Sequence, residues 1–295
     1  MIERFAYAKI NLFLDIKGIR EDGYHDIVSV MQTVDWADKI TLDKTDSTGI
    51  YVTCSDPTIP IDKRNTAYKA AELFLSRLQK SEMGVQIHIE KHIPWAAGLA
   101  GGSADAAATL LGLNDLFAAP FSDAELLSIG RCVGADVPFC LVGGTQKIGG
   151  IGEKIDPFPL MPACYLVCAK LGEGVSTPTA YMALDEQYNN FPHDSVKYDK
   201  LNCLREAFGQ NSLLRLPDGL YNIFEEPIER MRPSVSLLKS VLMDAGAVAA
   251  MMSGSGPSVF GVFENMEIAS MAFDALRRLG AVCEICRPIT PGGLR

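Results

Sequence analysis

Residues 94–107 read Pro94-Trp95-Ala96-Ala97-Gly98-Leu99-Ala100-Gly101-Gly102-Ser103-Ala104-Asp105-Ala106-Ala107. Upstream, Val85, Ile87 and Ile89 alternate as a strand; downstream, the Ala-rich run 104–117 is strongly helical. The stretch is therefore a strand–loop–helix connection, with Ser103 at the position of an N-cap. Gly98, Gly101 and Gly102 permit left-handed backbone and close approach to a ligand. The first turn of the helix adds unpaired N–H groups and the positive end of its dipole, an anion site that needs no basic side chains. The same small residues also suit a tight turn packed closely on its neighbours. The spacing is neither G-x-x-x-x-G-K-[ST] nor G-x-G-x-x-G, and no H-R-D or D-F-G is present, so phosphate loops of the common kinds are excluded.

An anion site of that design fits the composition. The chain has 295 residues, with 27 Lys and Arg against 36 Asp and Glu, a formal net charge of −9. Such a balance argues against nucleic acid or an anionic membrane as partner, and any bound phosphate must be met locally. A hydrophobic share of 48% and a charged share of 21% belong to a packed globular chain, and the length suits two domains. The N-terminus carries Glu3, Arg4 and Lys9 without a continuous apolar core, and no apolar run is long enough to span a bilayer. A soluble cytoplasmic protein is expected, monomeric or weakly homodimeric.

Eight cysteines are too few for a disulfide scaffold. Cys132, Cys140, Cys164 and Cys168 sit in apolar stretches and read as core thiols. Cys283 and Cys286 fall on a strand, where residues three apart face opposite ways, and the histidines at 25, 88, 92 and 193 have no partner spacing. No metal site is expected from protein ligands alone.

Outward from the glycine loop, residues 2–16 read as a strand or strand pair, 27–33 and 39–42 as further strands, and 65–78 as a helix with an apolar stripe. Ser122 to Glu125 forms a capping box for another helix, closed near Gly134. Pro157, Pro159 and Pro162 break both regular periods and place a domain boundary between 1–160 and 161–295. The second half opens with a strand at 165–169 and contains a polar, loop-like segment at 186–199. It closes with helix 234–245, strand 248–252, strand 258–263, helix 266–279 and strand 282–285. Gly246 and Gly280 end the two helices, and the order suggests a ferredoxin-like α+β layer.

Three further features carry chemistry. Met252-Ser-Gly254-Ser255-Gly256-Pro-Ser258 joins two strands with more small residues than a hairpin needs, which suits either turn geometry or close approach to a ligand. Asp136, in Gly134-Ala-Asp136-Val-Pro138, is a carboxylate in apolar surroundings, a turn former or a general base. Lys9 lies on an apolar strand, where an unpaired ammonium is costly; it requires a carboxylate such as Asp136 or a bound anion.

Together, Ala6-Tyr-Ala-Lys9-Ile-Asn11-Leu, the loop 94–107 and the cluster 252–258 resemble the three signature motifs of the GHMP-kinase superfamily. Asp22-Gly-Tyr24-His25, Gly134-Ala-Asp136-Val-Pro138 and Ser176-Thr177-Pro178-Thr-Ala-Tyr181 resemble its branch acting on a cytidine-diphosphate-linked methylerythritol. The matches run from residue 6 to residue 258 in family order. The resemblance implies an α+β, two-domain fold, a ribosomal-protein-S5-like N-terminal domain and a ferredoxin-like C-terminal domain, with the active site in the cleft between them. It implies ATP with Mg²⁺, and transfer of phosphate to the 2-hydroxyl of the polyol.

By the same resemblance Asp136 is the base, while Lys9 orients it and offsets charge. Asn11 touches the polyol, Asn65 lies near the adenosine, and Pro94 to Ala104 wrap the triphosphate, with Ser103 on phosphate or metal. Tyr24 and Tyr181 would sandwich the cytosine, His25 would bond its edge, Thr177 would reach the substrate, and Gly254, Ser255 and Gly256 would line its site. Ala100 stands where the family often has glycine. A homoserine or mevalonate substrate, or a binding module without catalysis, would keep the glycine loops; Tyr24, His25 and Tyr181 argue against the former, Lys9 with Asp136 against the latter.

Overall fold

The computed structural model describes residues 1–80, 82–188 and 196–290. β1 (Ile2–Ile19) and β2 (His25–Thr45) form one long antiparallel hairpin whose turn uses Gly23 at φ +83°. The two strands expected at 27–33 and 39–42 are thus one. The polar break between them stays extended because the carboxylate of Asp38 is satisfied in place, accepting from the backbone N–H of His92 and Ile93 and pairing with Lys91.

β2 is shared lengthwise. Its residues 39–45 pair with β4 (Gly84–Glu90) and residues 27–32 with β5 (Thr145–Gly150). β3 (Gly49–Cys54), unmarked in the sequence reading, lies parallel to β4, and β6 (Lys154–Pro157) flanks β5. One face of this sheet is covered by α1 (Thr66–Arg77), α2 (Gly101–Leu116) and α3 (Asp123–Val133), followed by the single-turn helix α4 (Val137–Val142). Phe74, Leu110 and Leu113 pack there on Ile40, Leu42, Ile87 and Ile89. Asn65 and Leu78 cap α1 as the periodicity requires, and the capping box of Ser122 and Glu125 opens α3.

α2 begins earlier than its composition suggests. Ala100, at φ +57°, is the N-cap, and Ser103 sits inside the first turn without a capping bond. Glycine is a poor helix former, but here tertiary packing overrides propensity: a Cβ on Gly101 would lie 3.1 Å from Ile93, and one on Gly102 3.2 Å from Thr66.

In the second half, β7 (Tyr165–Lys170), β9 (Ala249–Met252), β10 (Val259–Phe263) and β11 (Val282–Cys286) form an antiparallel sheet in the order β11-β7-β10-β9. With α9 (Ser234–Asp244) and α10 (Met266–Arg278) this is the β-α-β-β-α-β arrangement of a ferredoxin-like layer, and Gly246 (φ +97°) and Gly280 (φ +80°) end the helices. Between β7 and α9 run α5 (Thr177–Gln187), α6 (Tyr198–Gly209), α7 (Leu216–Gly219), β8 (Tyr221–Asn222) and α8 (Glu225–Met231). The loop expected at 186–199 is helical at both ends, because Leu184 on one side and Leu201, Leu204 and Phe208 on the other are buried. Its middle, 189–195, with His193, lies outside the described residues.

β8 returns to the first sheet and pairs parallel with β1, Phe13 opposite Tyr221. The core is likewise shared: Ile10, Leu12, Val34 and Trp36 of the first sheet meet Leu166, Phe260 and Val262 of the second. Cys164 and Cys168 are buried as expected, Cys140 is half-buried, and Cys132 is exposed, since the last turn of α3 turns it to solvent. Cys283 and Cys286 join different core clusters, one on each face of β11. Among the described residues no helix is long and apolar enough to cross a membrane.

Candidate active site

The pairing of β1 with β2 shifts register between Tyr7 and Lys9 and again between Asn11 and Phe13. Bulges re-aim side chains, and these two bracket a pair two residues apart on one face, Lys9 and Asn11, both buried at the floor of a cleft. The Lys9 ammonium donates to Asn11 Oδ1 at 2.6 Å and to the Gly98 carbonyl at 3.0 Å, and lies 3.7 Å from Asp136 Oδ2. The partner that burial of Lys9 demands is therefore present in the chain itself. Asn11 is fixed in turn by donating to Ser29 Oγ at 2.8 Å. Asp136 is the N-cap residue of α4, with a side chain about 30% exposed to the cleft.

Above this floor the glycine loop takes positive φ at alternate residues, Ala96 (+50°), Gly98 (+75°) and Ala100 (+57°). Alternation of that kind builds anion-binding concavities from backbone N–H groups. It also explains why glycine suits position 100 so well. A Cβ on Gly98 would stand 2.1 Å from the Ser253 carbonyl, and one on Gly254 2.9 Å from the Gly98 carbonyl and 3.1 Å from Lys9 Nζ. The two glycine clusters thus press on each other over the lysine. Ser253 closes the contact, its hydroxyl donating to Gly98 O at 3.0 Å and accepting from the Asn11 N–H at 3.2 Å.

The cleft encloses about 500 Å³. Its wall includes Lys9, Asn11, Asp136, Asn65, Thr177, Tyr181, Gly254, Ser255 and, from the loop, residues 94–98 and 100–103. Leu99 and Ala104 do not line it: both are buried beneath, as core residues. Gly256 is also behind the wall, packed on Met252 and Ile228. Asn65 reaches the wall while capping α1, its Oδ1 accepting from Ala67 N–H and its Nδ2 donating to Pro60 O.

Tyr24, at the hairpin tip, is 61% exposed and stands outside the wall. His25 beside it meets the Tyr181 ring at 4.6 Å, and Tyr181 packs edge-on against Phe224. Burial, with the Asp136 and Asp185 carboxylates nearby, pushes the Tyr181 hydroxyl up to about 12, so it stays protonated. Trp95 is exposed at the rim, its carbonyl held by Lys170 at 2.7 Å.

Sequence reasoning missed a buried cluster under the loop. Lys91, just past β4, pairs with Asp38 and, at 2.8 Å, with Asp105 on α2. Burial, with Asp38 close by and only partly opposed by Lys91, raises the Asp105 carboxyl to about 7. A signal was available: Asp105 is the one acidic residue in the first three turns of an otherwise small and apolar helix.

Residues 65–144 match the family GHMP kinases N terminal domain, and residues 203–282 match GHMP kinases C terminal. A 4-diphosphocytidyl-2-C-methyl-D-erythritol kinase of Caldicellulosiruptor bescii is 43% identical over 272 residues, covering 92% of this chain and 93% of that protein. The chain belongs to the GHMP kinase family.

Solved GHMP kinases share its architecture. A crystal structure of 4-(cytidine 5'-diphospho)-2C-methyl-D-erythritol kinase, 32% identical, superposes with a TM-score of 0.81 over 99% of this chain and 100% of the other. A homoserine kinase from Cytophaga hutchinsonii, 21% identical, reaches 0.75 over 98% and 95%, a likeness of fold alone. As a GHMP kinase the chain is a phosphotransferase that draws on ATP, and its two-domain α+β fold is that of the family.

Proposed function

We propose that this GHMP kinase transfers the γ-phosphoryl group of ATP to the 2-hydroxyl of 4-(cytidine 5'-diphospho)-2-C-methyl-D-erythritol, a step of non-mevalonate isoprenoid synthesis. The names of relatives 41–43% identical over most of the chain support this substrate. The observation that carries the chemistry is the buried ammonium of Lys9, 3.7 Å from Asp136 and bonded to the glycine loop.

Phosphoryl transfer through a loose transition state needs positioning and charge stabilisation more than strong basicity. In this reading Asp136 accepts the proton of the substrate hydroxyl, and Lys9 holds Asp136 in place while offsetting negative charge on the transferred group. Backbone N–H groups of the loop and the α2 N-terminus hold the triphosphate. Asn11 and Thr177 contact the polyol, and Tyr24, His25 and Tyr181 receive the cytosine.

Among the described residues no group of three or more His, Cys, Asp or Glu could hold a metal ion. Mg²⁺ travelling with a nucleotide keeps water and phosphate ligands and asks for one or two protein oxygens; the Asp136 carboxylate and the Ser103 hydroxyl, both at the wall, fit that demand. When bound, Mg²⁺ neutralises charge on the β- and γ-phosphates.

The test is an ATP-consumption assay with the cytidine-linked substrate on wild type and Asp136→Asn. The variant should bind both substrates yet turn over about 10²–10⁴ times more slowly. Normal turnover would remove Asp136 from the chemistry, and no turnover by the wild type would remove the substrate assignment.

A further inference from the structure

β8 is two residues long, and its second residue, Asn222, lies opposite Leu14 of β1 and is buried. From there its side chain reaches the cluster 252–258 from behind. Nδ2 donates to the carbonyl oxygens of Met252 and Gly254, both at 2.8 Å, and Oδ1 accepts from the Phe224 N–H at 3.0 Å. Two acceptors on one side and a donor on the other leave the amide a single orientation. Glu225 adds a second hold, accepting from the Met252 N–H at 2.7 Å while pairing with Lys239 on α9.

These bonds fall where the cluster touches the floor of the cleft. Gly254 has left-handed backbone, φ +57°, and an added Cβ would lie 2.9 Å from the Gly98 carbonyl, 3.1 Å from Lys9 Nζ and 3.3 Å from Asn11 Oδ1. Ser253, between the two carbonyls that Asn222 holds, bonds Gly98 O and the Asn11 N–H. Lys9 stands 3.7 Å from Asp136, beyond hydrogen-bond distance, so its ammonium is placed by Asn11, Gly98 and the turn pressed over it. Gly254 and Ser255 line the cleft, whereas Asn222 stands behind its wall.

We propose that Asn222 is a positioning residue for phosphoryl transfer: by donating to Met252 O and Gly254 O it seats the 252–254 turn on Lys9 and Gly98, and so fixes the ammonium that faces Asp136. The inference rests on the proposed roles of Lys9 and Asp136. Asn222 acts through backbone carbonyls and touches no substrate. Aspartate at 222 has the same shape and keeps an acceptor for Phe224. When ionised, it sets a carboxylate oxygen against two carbonyls and pushes the turn off the lysine; when protonated, it regains one O–H donor. Misplacement by about 1 Å is enough to lower a rate about 10²-fold.

The experiment measures kcat and both KM values, with ATP and the cytidine-linked substrate, for wild type, Asn222→Asp and Asn222→Ala. Rates are taken from about pH 5.5 to about pH 8, well below the melting temperature recorded for each protein at each pH. Charged neighbours on the adjoining elements, Glu225 on α8, Lys239 on α9 and Lys9 on β1, are common to all three proteins, so each rate is read as a ratio to wild type. At about pH 8 both variants should lose about 10–100-fold in kcat, with the KM values changed less. Toward about pH 5.5 the Asn222→Asp ratio should recover by about threefold or more, as the introduced carboxyl takes up its proton, while the Asn222→Ala ratio stays flat. A merely structural role would lower both melting temperatures and leave kcat at the wild-type level, which overturns the inference. Loss in both variants without recovery of Asn222→Asp at low pH overturns it too, since the turn would then need the bulk of the amide and not its donors. Asn222→Ala brings no charge into the site and decides the kcat comparison should Asn222→Asp fail to fold. A wild type without turnover removes the substrate reading, and this inference with it.

Discussion

The Lys9 ammonium donates to the Gly98 carbonyl oxygen at 3.0 Å, so the buried cation and the glycine loop are directly linked. A change at Lys9 should therefore disturb nucleotide binding as well as charge stabilisation. Lys9→Met is expected to lower kcat by about 10²–10³, and to raise the KM for ATP in the same protein. Steady-state kinetics with ATP varied separate the two; a lowered kcat with an unchanged KM would mean that the bond to Gly98 does not shape the loop.

Gly98 and Ala100 share a left-handed backbone but differ in what surrounds them. At Gly98 an added Cβ meets the Ser253 carbonyl at 2.1 Å, backbone against backbone. Gly98→Ala should therefore separate the two glycine clusters, lower the melting temperature and abolish most activity. Ala100→Gly should keep activity and change stability by less than about 1 kcal/mol, because relief of the left-handed alanine is offset by a freer unfolded chain. Paired thermal melts and initial rates distinguish these outcomes.

Asp105 makes stability depend on pH. Its carboxyl is raised by burial to about 7, far above the value in an unfolded chain, so the folded protein holds the proton more tightly. The stability this contributes is complete below about pH 4 and is lost as pH rises to about 7. Asp105→Asn does not titrate, so its melting temperature relative to wild type should climb by at least about 2 °C between pH 5 and pH 8. A difference that stays flat with pH would show that Asp105 does not titrate across this range.

Tyr24, at the exposed tip of the hairpin, is assigned to stacking on the substrate base. Tyr24→Ala should raise the KM for the cytidine substrate by about 5–150-fold, the equivalent of about 1–3 kcal/mol of stacking, with kcat little changed. Tyr24→Phe should behave as wild type. An equal effect of both substitutions would point to the hydroxyl instead of the ring.

Much of the fold was legible in the chain because the signals are local. Asn65 caps a helix whose apolar stripe ends at Leu78, and helices closed by Gly246 and Gly280 alternate with strands. What escaped depends on distant partners. Asp38 looks like a break in a strand until Lys91, His92 and Ile93 are seen to satisfy it. β8 is two residues long and exists because β1 offers it an edge. In the site, Lys9 was legible since a lone cation among apolar residues has no cheap explanation. Lys91, flanked by Glu90 and His92, gave no such signal, and its carboxylates are 53 and 14 residues away in sequence. Ser103 misled because a serine before an alanine run reads as a cap, whereas the helix already starts at Gly101, where Ile93 and Thr66 leave little room for side chains at 101 and 102.

The return of Tyr221 and Asn222 to the edge of β1, with Val34 and Trp36 packed against the strands of the other sheet, ties the two halves through one strand edge and one common core. The floor carrying Lys9 is sewn to both. Water reaches the Tyr24 tip and the Trp95 turn, whereas Lys9 and Asn11 beneath are held by both halves at once.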